Sequence, residues 1–193
     1  MSPGLHTISM GEYLQLPYLS SSLCNTLLQS SPFHARYQQE HRDADDTEAS
    51  DMGTAIHDAL LEGMDRIQPI DALDWRTKAA KELRDQARAD GKIPMLAIKV
   101  ARVDAAVKAA KAFIASSEIA GVFDEGESEV TVVWKDGDVM CKARPDLLTE
   151  RWHVSLKTTQ GSAEPSAWIR NQLVPCGYDV GAMFYERGLS LAD

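Results

Sequence analysis

The chain has 193 residues, 44% hydrophobic and 25% charged, with 20 lysines and arginines against 29 aspartates and glutamates and a formal net charge of −9. That apolar fraction excludes disorder over most of the length, and a chain this long buries enough surface to fold without disulfide or metal staples. The acidic balance argues against a protein that merely coats nucleic acid, because affinity for phosphates comes from Lys and Arg, yet it leaves room for an enzyme that holds metal ions with carboxylates and confines its basic residues to one groove.

The opening MSPGLHTIS has no basic segment followed by an apolar stretch, so it does not read as a secretory signal. No run approaches the roughly 18 apolar residues of a membrane span, and a cytoplasmic protein without membrane contact is expected. Over residues 18–37, Ser20, Ser21 or Ser22 can cap a short helix carrying Leu23, Leu27 and Leu28 and ending before Pro32. The polar, acidic segment from Gln38 to Asp51 reads as an exposed loop. A second helix is expected from about Asp51, with Met52, Ile56, Ala59, Leu60 and Gly63 at helical spacing. Two tracts rich in Ala, Lys, Arg, Glu and Asp, roughly 76–90 and 96–116, predict two further helices separated by Gly91 and Pro94.

After Gly126 the pattern changes to alternation of β-branched and polar residues around Asp136-Gly137, the signature of a hairpin with strands near 128–135 and 139–147. A third strand is expected at 152–158 and a last helix from about Ser166 to Arg187. Helices, then antiparallel strands, then a helix make an α+β arrangement around a small sheet. The three cysteines, Cys24, Cys141 and Cys176, are odd in number and widely spaced, so neither a disulfide framework nor a zinc site is indicated.

Four residues carry chemistry on this reading. Asp146 falls at the end of the second hairpin strand and Lys157 on the next strand, so neighbouring strands can bring both to one sheet edge. A carboxylate that holds Mg²⁺ beside an amine that positions water is what a metal-dependent phosphodiester hydrolase needs. An ordinary surface ion pair is the alternative. His57, in GTAIHDALLEG, has Gly53 and Leu61 one turn to either side, which places the imidazole near the buried face and leaves a structural histidine as the alternative. Glu129 begins a strand, where an exposed, idle side chain is the simplest reading.

Taken in order, the strings LSSSLCNTLLQSSPFHARY, GTAIHDALLEG, DWRTKAAKELR, SEVTVVW, KARPDLL, SLKTT and GYDVGAMFY resemble the phage exonuclease VIII group. This is the RecE-type branch of the PD-(D/E)xK nucleases related to RecB nuclease domains. The resemblance runs from about Leu19 to Leu189 and implies a single restriction-endonuclease-like core, a small mixed sheet flanked by helices. Carried over residue by residue, it implies that His57 and Asp146 ligate Mg²⁺ or Mn²⁺, that the carbonyl of Leu156 completes the shell, and that Lys157 is the catalytic lysine. Glu129 matches an acid of less defined role, Tyr185 matches a tyrosine that closes the site and touches DNA, and Arg144 is a phosphate contact unless it pairs with a neighbouring carboxylate. The group degrades linear double-stranded DNA from its ends and feeds a single-strand annealing partner, commonly as a ring of identical subunits. Its chains usually continue beyond the tyrosine helix, which makes a C-terminally shortened form an expectation here.

Two positions depart from the pattern. Ser155 stands where the group has Asp or Glu two residues before the lysine, and Gly181 where it has Gln four residues before the tyrosine. A hydroxyl is a poorer ligand than a carboxylate for a hard dication, so the metal site loses one formal negative charge. Glycine also weakens a helix interior by roughly 1 kcal/mol relative to Ala. A DNA exonuclease with an impaired site is therefore the first reading. A DNA-end-binding or recombination-complex module that no longer cuts is the second.

Overall fold

Short sequence signals start most of the elements. In the computed structural model, which describes residues 1–41 and 48–192, strand β1 (Gly4–His6) leads into α1 (Met10–Gln15), where Ser9 and Glu12 close a capping box. Helices α2 (Ser21–Gln29) and α3 (Pro32–Glu40) are each capped by a serine, Ser20 and Ser31, and Pro32 fits the first turn of α3 because its missing N–H would have no helical partner there. Then come α4 (Glu48–Leu61), β2 (Ile67–Ile70), α5 (Lys78–Ala89), β3 (Ile93–Leu96), α6 (Ala97–Ala115) and the short α7 (Val122–Glu125). Strands β4 (Glu127–Ser128), β5 (Thr131–Asp136), β6 (Val139–Ala143), β7 (Leu147–Leu148) and β8 (His153–Val154) follow. The described chain ends in α8 (Pro165–Trp168), a π-helical turn at Ile169–Leu173 and α9 (Tyr178–Ala192).

Contacts divide the chain into two units, one formed by Met1–Asp43, Glu125–Ser155 and Thr159–Asp193, the other by Ala44–Asp124 and Leu156–Thr158. In the first, β5 and β6 form the expected hairpin with Trp134 opposite Cys141, and Gly137 takes the positive φ of +60° that the tight reversal needs. β1 adds to the other edge of β5, giving an antiparallel sheet in the order β1-β5-β6. Phe184, Tyr185 and Leu189 of α9 pack on Val132, Trp134, Cys141 and Ala143, which removes Trp134 entirely from solvent. Lys142 on β6 is also fully buried. Its ammonium donates to the carbonyls of Tyr13 and Leu16, both at 2.7 Å, and sits 4.6 Å from the centre of the Tyr13 ring. The lysine thereby ties the end of α1 to the sheet, since a buried ammonium persists only where acceptors replace water. A second antiparallel sheet runs β4-β7-β8, and a Cβ on Gly126 would lie 2.5 Å from Leu147 Cγ, so only glycine fits where this sheet begins.

In the other unit β2 and β3 are parallel, and Ile67, Ile93 and Met95 from them form a core with Ala55 and Ala59 of α4 and Val103 and Val107 of α6. The small residues on α4 let that helix approach its neighbours closely. Arg66 pairs with Asp58 at 2.7 Å and Arg88 with Asp51 at 2.9 Å, ion pairs that fasten the ends of α4 to the surrounding loops and to α5.

Several expectations change. The hairpin, α2, α5 and α6 lie where the sequence places them, but the expected loop from Gln38 is helical through Glu40, and α4 starts at Glu48 rather than Asp51; the part of that loop at 42–47 lies outside the described residues. The strand expected at 152–158 is only His153–Val154, so Lys157 is not on a strand. Asp146 lies in the bend between β6 and β7 rather than at a strand end, and Glu129 lies in a turn between β4 and β5. The single C-terminal helix is broken at 174–177, where Gly177 has φ +67°. The α+β class stands, with three small sheets among the described residues in place of one.

Candidate functional site

In the first unit the turn after β4 puts Glu129 at φ +59°, the one non-glycine residue with positive φ among those described. That backbone well is costly for a residue with a Cβ and is kept only where the surroundings impose it. Here the surroundings do. The Glu129 N–H donates to the carbonyl of Asp146 at 3.2 Å, and the Asp146 N–H donates to the carbonyl of Val154 at 3.0 Å. The peptide of Asp146 is thus fixed on both sides, to the Glu129 turn and to β8. As a result a carboxylate oxygen of Glu129 lies within 4.8 Å of one of Asp146, both residues half-buried.

Two like charges at such a separation repel by about 3.5 kcal/mol at an effective dielectric near 20, a cost that a nearby cation offsets. Arg144 supplies one positive charge. Its Nε donates to Glu129 Oε2 at 2.5 Å, and its Nη1 donates to the carbonyl of Ile8 at 2.8 Å and to Thr131 Oγ1 at 3.0 Å. Only 9% of the arginine side chain is exposed. Of the two roles weighed for Arg144, pairing with a neighbouring carboxylate is the one its geometry displays. Tyr185 lies behind it, with its hydroxyl donating to the Arg144 carbonyl at 3.5 Å and its ring 6.0 Å from that of His153. Burial pushes the Tyr185 phenol upward, and the charges of Asp146 and Glu129 act in the same direction, so it stays a protonated donor at neutral pH. Gly181, one turn earlier on α9, has nothing nearer than Ser21 Cβ at 4.0 Å from where a Cβ would stand, leaving room for a larger side chain. Ser155 closes this part of the unit and is exposed.

In the second unit His57 is half-buried on α4, between the buried Ala55 and Ala59 and beside buried Asp58. One turn before it, a Cβ on Gly53 would come within 3.0 Å of Thr158 Oγ1. The glycine of GTAIH therefore admits the segment Leu156–Thr158 against α4, a packing reason for that residue which the sequence pattern alone does not show. Lys157 is exposed in this segment, and its ammonium donates to the carbonyl of Leu156 at 3.0 Å. The carbonyl expected in a metal shell is thus already an acceptor for the expected catalytic lysine.

The donor chemistry of Glu129 and Asp146 fits a divalent ion of the magnesium class, because two hard carboxylate oxygens on a fixed backbone are the ligands such ions select. The other half of the arrangement, a guanidinium on the outer oxygen of one ligand, was not legible in the sequence: Arg144 and Glu129 are fifteen positions apart, and neither residue type announces its partner.

No helix among the described residues is long and apolar enough to cross a membrane. Neither the curated proteins nor the solved structures yielded a match to this sequence. One family does match, described as a PDDEXK-like domain of unknown function (DUF3799), over residues 20–192. That span contains Glu129, Asp146 and Lys157 together with every element from α2 to α9, and so the chain belongs to this PDDEXK-like family and has a nuclease-type fold.

Proposed function

We propose that this chain is a divalent-metal-dependent deoxyribonuclease acting on the ends of linear double-stranded DNA, an exonuclease of phage recombination whose site is weakened by Ser155. The observation that carries the reading is Glu129, held at an unfavourable φ of +59° by a backbone bond to Asp146 and by Arg144. Strain that a fold maintains next to a pair of acids indicates a functional site. Asp146 and Glu129 are the groups that would hold Mg²⁺ or Mn²⁺, and the imidazole of His57 and the carbonyl of Leu156 are added to them by the resemblance alone. Bound there, the ion supplies Lewis-acid polarisation of the phosphate and charge stabilisation of the leaving 3′ oxygen. Lys157, exposed in the segment after β8, would orient the attacking water. Ser155 contributes a neutral hydroxyl where an acid would add charge, which lowers the affinity for the ion. A single-strand annealing protein as partner and a ring of identical subunits belong to the same proposal and follow from the resemblance alone.

The second reading, a silent DNA-end-binding module, is favoured by Ser155 itself. Digestion of linear duplex with Mg²⁺ or Mn²⁺ by this chain and by Ser155→Asp separates the two. Cutting by this chain that rises at least tenfold in Ser155→Asp supports the weakened nuclease. Binding of DNA ends by both forms with cutting by neither supports the module, and no DNA affinity in either form contradicts both.

A further inference from the structure

We propose that Arg144 is a positioning residue for the cation site: it locks the Glu129 carboxylate in its ligating pose and is itself braced by the N-terminal segment, so residues 1–16 are a working part of the site. The family match begins only at residue 20. The inference rests on the reading of Glu129 and Asp146 as cation ligands, and it adds to them a support that no ligand motif contains.

The argument starts from the freedom of a glutamate side chain. Its three rotatable bonds give a ligand oxygen many positions, and a cation site needs one. The planar guanidinium is suited to remove that freedom, because its donors hold a fixed fork geometry. Among the described residues only Oε2 of Glu129 is engaged by Arg144, which leaves Oε1 for a cation. The arginine is fixed in turn. Thr131, wholly buried, accepts one hydrogen bond from Nη1, and the Ile8 carbonyl accepts another. Ile8 belongs to no fraying tail. On one side of it β1 pairs with β5 from Gly4↔Val133 to His6↔Thr131, and on the other the carbonyls of Tyr13 and Leu16 receive the ammonium of buried Lys142. The Tyr13 ring lies 5.8 Å from the Arg144 guanidinium, completing the brace. A chain of fixed contacts thus runs from the sheet through the N-terminal segment and Arg144 to one oxygen of a candidate ligand.

Two opposite expectations follow from elementary electrostatics. If Arg144 only competes with the cation for Glu129, its removal tightens metal binding. If it positions the ligand, its removal weakens binding, as loss of partners behind a ligand generally does by 10–100-fold. The test is Mn²⁺ titration by calorimetry on the full chain, on Arg144→Gln, on Glu129→Gln and on the double variant, with Asp146→Asn as reference. The expected result is about tenfold weaker binding in Arg144→Gln and no further loss when that change is added to Glu129→Gln, because the arginine acts through that carboxylate. Unchanged or tighter binding in Arg144→Gln overturns the proposal, and so do losses that simply add. Should Arg144→Gln fail to fold by near-ultraviolet circular dichroism, Arg144→Lys, which keeps the charge and loses the fork, takes its place in the same cycle with the same expected pattern. An unaltered chain that binds no Mn²⁺, or whose binding survives Asp146→Asn, sinks the metal reading itself rather than the role of Arg144. Coupling is reciprocal, so saturating Mn²⁺ should slow amide exchange at residues 8–16 in the unaltered chain and not in Glu129→Gln. Unchanged exchange in the unaltered chain overturns the brace.

Discussion

Glu129 and Asp146 are held by their backbones as much as by their side chains: a strained turn, two peptide hydrogen bonds and an arginine with three partners leave them little choice of position. His57 and Lys157 lie in the other unit. The histidine stands half-buried on a helix, and the lysine is exposed on a segment outside any strand, its ammonium bonded to the carbonyl of the residue before it. For Lys157 the exposure matches the chemistry proposed for it. Ligands for a dication gain from being fixed before the ion arrives, whereas an amine that orients water must adjust as the proton moves.

The sharpest way to break this contrast is to remove one fixed acid. Asp146→Asn should weaken Mn²⁺ binding on the order of 100-fold by calorimetry, since affinity follows the number of charged ligands, while His57→Ala should weaken it less and still melt cooperatively. Equal small losses in both would erase the distinction. Glycine substitutions read the stiffness itself. Gly126→Ala drives a methyl to 2.5 Å from Leu147 Cγ and should lose about 1–3 kcal/mol in denaturant unfolding. Gly53→Ala meets only the Thr158 hydroxyl, at 3.0 Å. Its helix-propensity gain of up to about 1 kcal/mol should leave stability nearly unchanged while displacing the segment that carries Lys157.

The turn at Glu129 offers a smaller effect that isolates backbone strain. Glu129→Gly and Glu129→Ala both delete the carboxylate, but only glycine is at ease at φ +59°, so the glycine variant should be the more stable by about 1 kcal/mol. The smallest effect is on pH dependence, at a pair remote from these acids. Arg187 bonds Asp136 and holds its carboxyl below the ordinary carboxylate value. A depressed folded-state value means the contribution is present above the ordinary carboxylate pKa and is lost as pH falls through the folded value. Asp136→Asn should flatten that acid limb slightly in thermal melts. A change extending to neutral pH would point to another group.

Periodicity made the helices and the hairpin legible, because Ile56, Ala59 and Leu60 declare the packed face of α4 by their spacing and Asp136-Gly137 marks the reversal between two β-branched runs. Motif likeness singled out His57, Asp146 and Lys157. What stayed hidden depends on contacts distant in sequence. The parallel pair Ile67–Ile70 and Ile93–Leu96 is too short for a period and contains Pro69 and Pro94, which argue against strands. The extended run WHVSLKT looks like one strand because alternation cannot say where pairing stops. The strain at Glu129 and the reach of Arg144 to Ile8 are consequences of tertiary structure, and no local pattern encodes them.

The central claim, that Glu129 and Asp146 together receive a divalent cation, is tested most directly by crystals soaked in Mn²⁺ and measured for anomalous scattering. The account predicts one peak bonded to a carboxylate oxygen of each residue, with the Arg144–Glu129 pair intact and the peak lost in Asp146→Asn. A fully soaked crystal with no peak between the two carboxylates, or with the same peak in Asp146→Asn, would contradict it.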